Sequence, residues 1–200
     1  MAAGMDILGH MESATAAVAD LIGTITPVDE LERRHIEQTP AGLARTDDVY
    51  RRIPPATPSP HLVAYVVLVD PVERGIYLGR HRKSRLHLPM GGHLEPFEHP
   101  LAAARREARE ELGLDPGFDI VGDRPLFLTV TTTVGSTGGH IDTSLWFVAR
   151  GHRGGQHKLD PDEFDGGQWW DLDPYGIPDS DPHLGRFLHK LDSALRSALA

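Results

Sequence analysis

Apolar positions along this chain follow two patterns. Some form short continuous or alternating runs, and others recur every three or four residues, as on one face of a helix. Short apolar runs rich in β-branched residues, each bounded by glycine, proline or aspartate, predict five strands. Four of them pair as two hairpins through turns at residues 70–75 and 135–139, and the fifth stands nearer the C-terminus. The strands are Leu62–Val69 with Ile76–Gly79, Leu126–Thr133 with His140–Arg150, and Gln168–Leu172.

Helical spacing predicts four helices, two before the first strand and two among or after the strands. In the second helix Thr26 is the expected N-cap and Pro27 the first helical residue. Helices interleaved with strands over residues 60–200 favour an α/β or α+β sandwich over a helical bundle. The helices are Met5–Leu21, Pro27–Gln38, Pro100–Leu112 and a C-terminal helix from Asp181–Pro182 to about Ala198.

Four prolines between Ile53 and Pro60 predict an extended connector. The chain therefore divides into an N-terminal helical extension (1–53), a proline-rich linker (54–60) and a main domain with the C-terminal helix (61–200). The extension carries no catalytic motif. We expect an α-hairpin that packs on the main domain or on a second subunit, which makes a homodimer a reasonable expectation; a lid over a substrate is the alternative.

Composition narrows the class of protein. The chain has 200 residues, a formal net charge of −9 and no cysteine. The negative charge argues against nucleic acid as a partner, and the lack of cysteine excludes disulfides and thiolate metal sites and fits a cytoplasmic location. No apolar segment is long enough to span a membrane and no basic stretch precedes the first apolar residues, so neither a membrane nor a secretion signal is expected.

The third helix carries the clearest chemical signal. Glu107, Glu110 and Glu111 stand at positions i, i+3 and i+4, so their carboxylates share one helix face and repel one another. Hard carboxylate oxygens suit Mg²⁺, with Mn²⁺ as the alternative, and Mg²⁺ is commonly shared with substrate phosphates. The face therefore predicts a diphosphate-binding metal site, and a solvated, salt-bridged helix is the alternative.

Residues beside this face support the prediction. Arg106 can pair with Glu110 or reach Glu98. A tight turn is expected at Gly91 and Gly92, where the missing Cβ atoms let a backbone carbonyl approach a metal or a phosphate.

The segment from Gly92 to Leu114 matches the Nudix box at each fixed position: Gly, Glu six residues later, Arg-Glu, Glu-Glu, Gly and a final apolar residue. On this motif the chain resembles the Nudix hydrolases. The resemblance implies an α/β/α sandwich around a mixed sheet, and hydrolysis of a nucleoside diphosphate linked to another group. It also implies metal ligation by Glu107, Glu110, Glu111 and the Gly92 carbonyl, and an orienting pair formed by Arg106 and Glu98.

Two segments outside the motif are further candidates. His81–His87 contains Arg82 and Arg85, which either bind substrate phosphates or protect an exposed strand edge. The acidic loop before the last strand contains Glu163. By resemblance, some Nudix enzymes take their general base from a late loop glutamate and others from a glutamate of the box. Glu163 is the candidate of the first kind, and a plain surface loop is the alternative.

Aromatic residues give weaker signals. Trp146, Trp169 and Trp170 are more typical of packing than of base stacking. The twelve histidines show neither the His-x-His nor the i, i+4 spacing that zinc sites favour, so we expect them on the surface or in loops. His140 and Asp142 open a strand that could bring them near the site.

The sequence thus predicts a Mg²⁺-dependent pyrophosphohydrolase acting on a small nucleoside diphosphate derivative by attack of water on phosphorus. The alternative is a Nudix-like sensor that binds a nucleotide without hydrolysing it, against which the intact set of carboxylates argues. An isomerase of isoprenoid diphosphates is disfavoured because its usual nucleophile is a cysteine. No pattern identifies the particular substrate.

Overall fold

In the computed structural model of the protein, the described residues are 15–43, 60–133 and 139–198. These three ranges contain four helices and one seven-stranded sheet. The helices are α1 (15–23), α2 (Glu30–Leu43), α3 (Pro100–Leu112) and α4 (Leu184–Ala198). The strands are β1 (His61–Asp70), β2 (Gly75–His81), β3 (His87–Leu88), β4 (Met90–His93), β5 (Phe127–Thr132), β6 (Ile141–Arg150) and β7 (Phe164–Asp171).

Strand β1 is the centre of the sheet. It runs parallel to β6 along nine residue pairs, and antiparallel to β4 near its start and to β2 near its end. The main order is β3-β2-β1-β6-β5, with β7 paired to β2. Because β1 and β6 are covered on both faces, their sequences are nearly continuous apolar runs. The predicted mixed sheet is confirmed.

Helices cover both faces of this sheet. Leu62, Ala64, Val66 and Leu68 of β1 belong to the core shared with α3, whereas Val67 and Val69 belong to the core shared with α4. This alternation follows from the two-residue period of a strand. The α/β/α sandwich is therefore confirmed.

The tryptophans contribute to packing. Trp146 is fully buried, stacks on Phe187 of α4 and donates its indole N–H to Thr129 Oγ1 at 3.0 Å. Trp169 packs on the core beneath α3 and Trp170 on the core beneath α4. Packing is thus the role that these contacts support.

Helix α2 lies against β5, the edge strand of the main path. Glu32 Oε1 accepts a hydrogen bond from Leu128 N at 3.3 Å, and His35 Nδ1 accepts one from Val130 N at 3.3 Å. Glu32 and its neighbour on the same helix face, His35, thus accept hydrogen bonds from alternate N–H groups of β5. Without these partners, the N–H groups of an edge strand are open to pairing with another chain. Helix α2 is therefore packed against strand β5.

The start of α2 differs from the prediction. The helix begins at Glu30, and Asp29 caps it by accepting a hydrogen bond from Glu32 N at 2.8 Å. Arg186 of α4 binds the same carboxylate and lowers the pKa of Asp29 to about 2. Both Thr26 and Asp29 are good N-cap residues, and the ion pair with α4 favours Asp29.

Three other expectations differ from the structure or lie outside its described part. Residues 90–93 form strand β4 rather than a tight turn, because they pair with β1, and β7 starts at Phe164 rather than at Gln168. Residues 5–14, 54–59 and 135–138 lie outside the described residues, so the division into extension, linker and main domain stays a prediction. None of the described helices is long and apolar enough to cross a membrane.

Candidate active site

Helix α3 has the predicted limits because both of its ends are capped. His99 Nδ1 accepts a hydrogen bond from Leu101 N at 3.2 Å, and Pro100 follows at the first helical position. Gly113 ends the helix with φ of +67°, a left-handed conformation that a side chain would strain. The helix therefore presents its residues in the register that the sequence predicts.

Because α3 packs on the sheet through one face, its glutamates lie at one cavity. Ala103, Ala104, Ala108 and Leu112 are buried against the sheet. The neighbouring helix positions carry the three glutamates to a cavity of about 470 Å³ between α3, the β1 and β6 starts and the loop before β7. Site candidates that line it are Gly92, Glu107, Glu110, Glu111 and Glu163.

Two glycines of β4 allow close approach of their neighbours, Gly91 to β1 and Gly92 to the Glu107 side chain of α3. A Cβ atom on Gly91 would lie 2.2 Å from the Ala64 carbonyl oxygen of β1, and its φ is +143°. A Cβ atom on Gly92 would lie 2.4 Å from Glu107 Oε1. Both distances are shorter than a non-bonded contact allows. Glycine is therefore required at position 91, against the backbone of β1, and a side chain at position 92 would displace the Glu107 carboxylate.

Arg106 organises the glutamate face. Its Nε and Nη2 donate to the two carboxylate oxygens of Glu98, both at 2.9 Å, and Nη1 donates to Glu107 at 2.6 Å and to Glu110 at 3.1 Å. Nη2 also donates to the His93 carbonyl oxygen at 3.1 Å. The hydrogen bonds with Glu98 are the first cause that raises the pKa of Arg106 above its usual range. The structure thus joins Arg106 and Glu98 in a fork-to-fork pair.

Glu163 reaches the same face from a distant part of the sequence. Arg82 N donates to the Glu163 carbonyl oxygen at 2.8 Å, and Asp160 N donates to the Glu111 carbonyl oxygen at 3.2 Å, so the loop is tied to both β2 and α3. Burial raises the pKa of Glu111 to about 10, assisted by the charge of Glu107 and by a hydrogen bond with the Glu163 carboxyl. Burial also raises the pKa of Glu107.

This donor set fits a hard divalent cation. The carboxyl groups of Glu107 and Glu111 are buried, and the negative charge of the nearby Glu163 adds to the burial that raises the pKa of both. A divalent cation would replace the protons that the raised pKa values favour and remove the repulsion. All of the available donors are oxygens, which Mg²⁺ and Mn²⁺ prefer.

The predicted phosphate-binding arginines have other partners. Arg82 Nη1 and Arg85 Nη1 both lie 3.1 Å from the Asp165 carboxylate, and both side chains are about half exposed. Lys83 of the same segment lines the cavity instead. These contacts favour the strand-edge alternative for the two arginines, whose role in substrate binding stays a prediction.

The expectation for the histidines is wrong for a group beside the cavity. His61 and His140 are buried, and together with His93 and Asp142 they form a compact group, here called the histidine cluster. The four residues come from three strand ends that the sheet brings together, so no short spacing in the sequence reveals them. The pattern His140-Ile-Asp142 at a strand start was the available signal.

Comparison with known proteins bears on the family and the fold of the chain. The family described as NUDIX domain matches residues 59–191. An Ap4A hydrolase from C. elegans has a similar structure, with a TM-score of 0.52, 19% identity, and coverage of 68% of this chain and 98% of that chain. A dihydroneopterin triphosphate pyrophosphohydrolase from E. coli has a TM-score of 0.52, 17% identity, and coverage of 75% and 99%.

No curated protein matches the chain in sequence. The two structural likenesses bear on the fold alone, since the identities are low. The family match, in contrast, spans well over half of the chain and includes the whole of α3. The chain therefore belongs to the NUDIX family, as an enzyme of the Nudix pyrophosphohydrolase type.

Proposed function

We propose that the protein hydrolyses a phosphoanhydride bond in a nucleoside diphosphate linked to another moiety, and that the reaction depends on Mg²⁺. The observation that carries this proposal is the convergence of four glutamates on one cavity. Three of them come from α3, and the fourth, Glu163, comes from the loop before β7. A hard cation is the partner that such a concentration of carboxylates suits, and Mg²⁺ held in this way is commonly shared with substrate phosphates.

Glu107, Glu110, Glu111 and the Gly92 carbonyl are the groups that would hold the cation. When bound, Mg²⁺ polarises a phosphoryl oxygen and makes a coordinated water a stronger nucleophile at neutral pH. Mn²⁺ has similar ligand preferences and is expected to substitute.

Arg106 and Glu98 position these ligands. The guanidinium is fixed by its two hydrogen bonds with Glu98, and it holds Glu107 and Glu110 through Nη1. Since the same guanidinium contacts both carboxylates, it sets their separation and keeps them directed to one side of α3. We assign Arg106 and Glu98 a positioning role on this basis.

Proton transfer is proposed for Glu163 or for a glutamate of α3. The Glu163 carboxyl lies on a loop at the cavity and is close enough to Glu111 to share a hydrogen bond with it. A base at this position would accept the proton that a water loses as it attacks phosphorus. The bond from that phosphorus to the bridging oxygen would break, and the bridging oxygen would leave as part of the second phosphate product. Glu110 and Glu111 are the alternative bases.

Substrate choice requires a panel of compounds. The two similar structures belong to enzymes named for different compounds, Ap4A and dihydroneopterin triphosphate. The panel therefore includes dinucleoside polyphosphates, nucleoside and pterin triphosphates, nucleotide sugars, ADP-ribose and dinucleotide cofactors. Release of phosphate, pyrophosphate or nucleoside monophosphate is measured with Mg²⁺ and with excess chelator.

Two variants and one control test the roles of the glutamates. Glu111→Gln removes a buried metal-ligand candidate, and Glu163→Gln removes the base candidate. Glu37→Gln, an exposed position on α2, is the matched control. We expect loss of turnover for Glu111→Gln, a fall of about 100-fold or more in kcat for Glu163→Gln, and no change for Glu37→Gln.

Full Mg²⁺-dependent turnover by Glu111→Gln would contradict the proposal. Unchanged kcat in Glu163→Gln would mean that a glutamate of α3, rather than Glu163, is the general base. If no compound is hydrolysed while one of them raises the thermal midpoint, the protein is the nucleotide-binding sensor instead.

A further inference from the structure

We infer that the histidine cluster is a second metal site, separate from the glutamates of α3 and suited to a transition-metal ion such as Zn²⁺. It consists of His61, His93, His140 and Asp142, whose donor atoms all lie within 4.8 Å of one another. The inference goes beyond the proposed function and does not depend on it, because metal uptake is measurable in a protein that hydrolyses nothing.

The sheet fixes the positions of the four residues. His61 begins β1 and pairs in parallel register with Asp142 of β6. His93 ends β4, which is antiparallel to β1, and His140 immediately precedes β6. Three neighbouring strands therefore hold the ligands in place by backbone pairing. Such preorganisation lowers the entropic cost of binding an ion.

Three distances within the cluster are close to those of a tetrahedral site. The ring nitrogens of His61, His93 and His140 lie 3.5, 3.4 and 3.4 Å from the same oxygen, Asp142 Oδ1. In a tetrahedron with zinc–ligand bonds of about 2.0–2.1 Å, neighbouring ligand atoms are about 3.3–3.4 Å apart. The carboxylate oxygen thus already has the spacing to three nitrogens that a shared ion requires.

The two ring nitrogens of His140 have different neighbours. The Thr133 hydroxyl oxygen lies 3.1 Å from His140 Nδ1 and 3.2 Å from the His140 carbonyl oxygen. Nε2 lies 3.4 Å from Asp142 Oδ1. Nε2 is thus the nitrogen that would bind the ion together with Asp142, and Thr133 is the outer partner that orients the ring.

The donor set distinguishes this site from the one on α3. Imidazole nitrogens suit Zn²⁺, Cu²⁺, Fe²⁺ and Ni²⁺, whereas the oxygens of Glu107 and Glu111 suit Mg²⁺. Four protein ligands complete a tetrahedron without water, which is typical of structural zinc sites. The ion would tie the starts of β1 and β6 to the end of β4 and so stabilise one wall of the substrate cavity.

Metal uptake by the purified full-length protein, freed of any affinity tag, tests this assignment. The protein is stripped with chelator and titrated with Co²⁺ in Mg²⁺-containing buffer, and visible absorption reports tetrahedral coordination. Zn²⁺ then displaces Co²⁺, and elemental analysis after gel filtration gives the stoichiometry. We expect about one ion per chain, released by chelator, and a rise in thermal midpoint with Zn²⁺.

His93→Gln and His140→Gln test the ligands, and Thr133→Val tests the outer partner. We expect Thr133→Val to weaken Zn²⁺ binding by about 10- to 100-fold, and each histidine variant to weaken it further. His189→Gln, an exposed histidine of α4, is the matched control and should bind normally. His93 is the less buried ligand, so its variant decides the matter if His140→Gln does not fold.

Glu111→Gln separates the two sites, since it should retain the Co²⁺ spectrum. The assignment is overturned if the wild-type protein takes up no Co²⁺ or Zn²⁺. The four side chains would then be held together by hydrogen bonds alone. The assignment is equally overturned if uptake persists in His93→Gln and is lost in Glu111→Gln, because the ion would then lie on α3.

Discussion

Replacement of Lys190 by Met is the sharpest test of how helix α2 is attached to α4. Lys190 Nζ of α4 lies 2.6 Å from Glu32 Oε1 of α2, and the exposed fractions of the two side chains are 10% and 0%. Glu32 also accepts hydrogen bonds from Val28 N and Leu128 N. Burial lowers the pKa of Lys190, and the Glu32 carboxylate opposes that shift.

The substitution removes the positive charge and leaves the carboxylate buried. Breaking a buried ion pair in this way costs about 3–5 kcal/mol, because the remaining charge has lost both water and its partner. Methionine fills a similar volume beside the Phe127 ring, which lies 5.5 Å from Nζ, so loss of packing contributes little. We expect Lys190→Met to lower the free energy of unfolding by that amount, measured by urea denaturation.

Arg196→Met is the matched control on the same helix. Arg196 pairs with Asp192 four residues earlier, but its side chain is 77% exposed. Such a surface pair contributes about 0.3–0.5 kcal/mol. Adding Glu32→Gln to Lys190→Met should recover part of the loss, since it removes the unpaired charge. Equal costs for Lys190→Met and Arg196→Met would refute the reasoning, and so would a double variant less stable than Lys190→Met.

Three further predictions concern the site and its supports. Arg106→Lys loses the two-point contact with Glu98, so kcat should fall by about 100-fold with little change in KM; unchanged steady-state kinetics would contradict this role. Gly113→Ala forces a side chain into the left-handed region and should cost about 1 kcal/mol of stability, visible in urea denaturation, with kcat unaffected. Burial raises the pKa of Asp181 to about 6, so its ionisation destabilises the fold as pH rises from about 4 through 6. Asp181→Asn, which can still accept the hydrogen bond from His183 N, should therefore be more stable than wild type by up to about 3 kcal/mol above pH 6 and equally stable near pH 4; a difference independent of pH would count against this assignment.

Local patterns in the sequence determine helix α3 and its chemistry. Its caps, its apolar stripe and its three glutamates all lie within one stretch of 23 residues from Gly92 to Leu114, where helical geometry alone fixes which side chains share a face. The pairing of Arg106 with Glu98 is also local, across eight residues. The strands of the two hairpins follow from apolar runs and turn residues, and the observed bounds differ from the predicted ones by one or two residues for most strands.

Only the tertiary structure decides which distant residues join this helix. Glu163 reaches Glu111 because backbone hydrogen bonds tie its loop to β2 and α3. The histidine cluster exists because the ends of three neighbouring strands meet at one end of the sheet. Strand order and register depend on contacts between segments far apart in the chain, and a propensity or a motif carries no information about them. The cap of α2 also has a distant partner, since Asp29 binds Arg186, which lies 157 residues away in the chain.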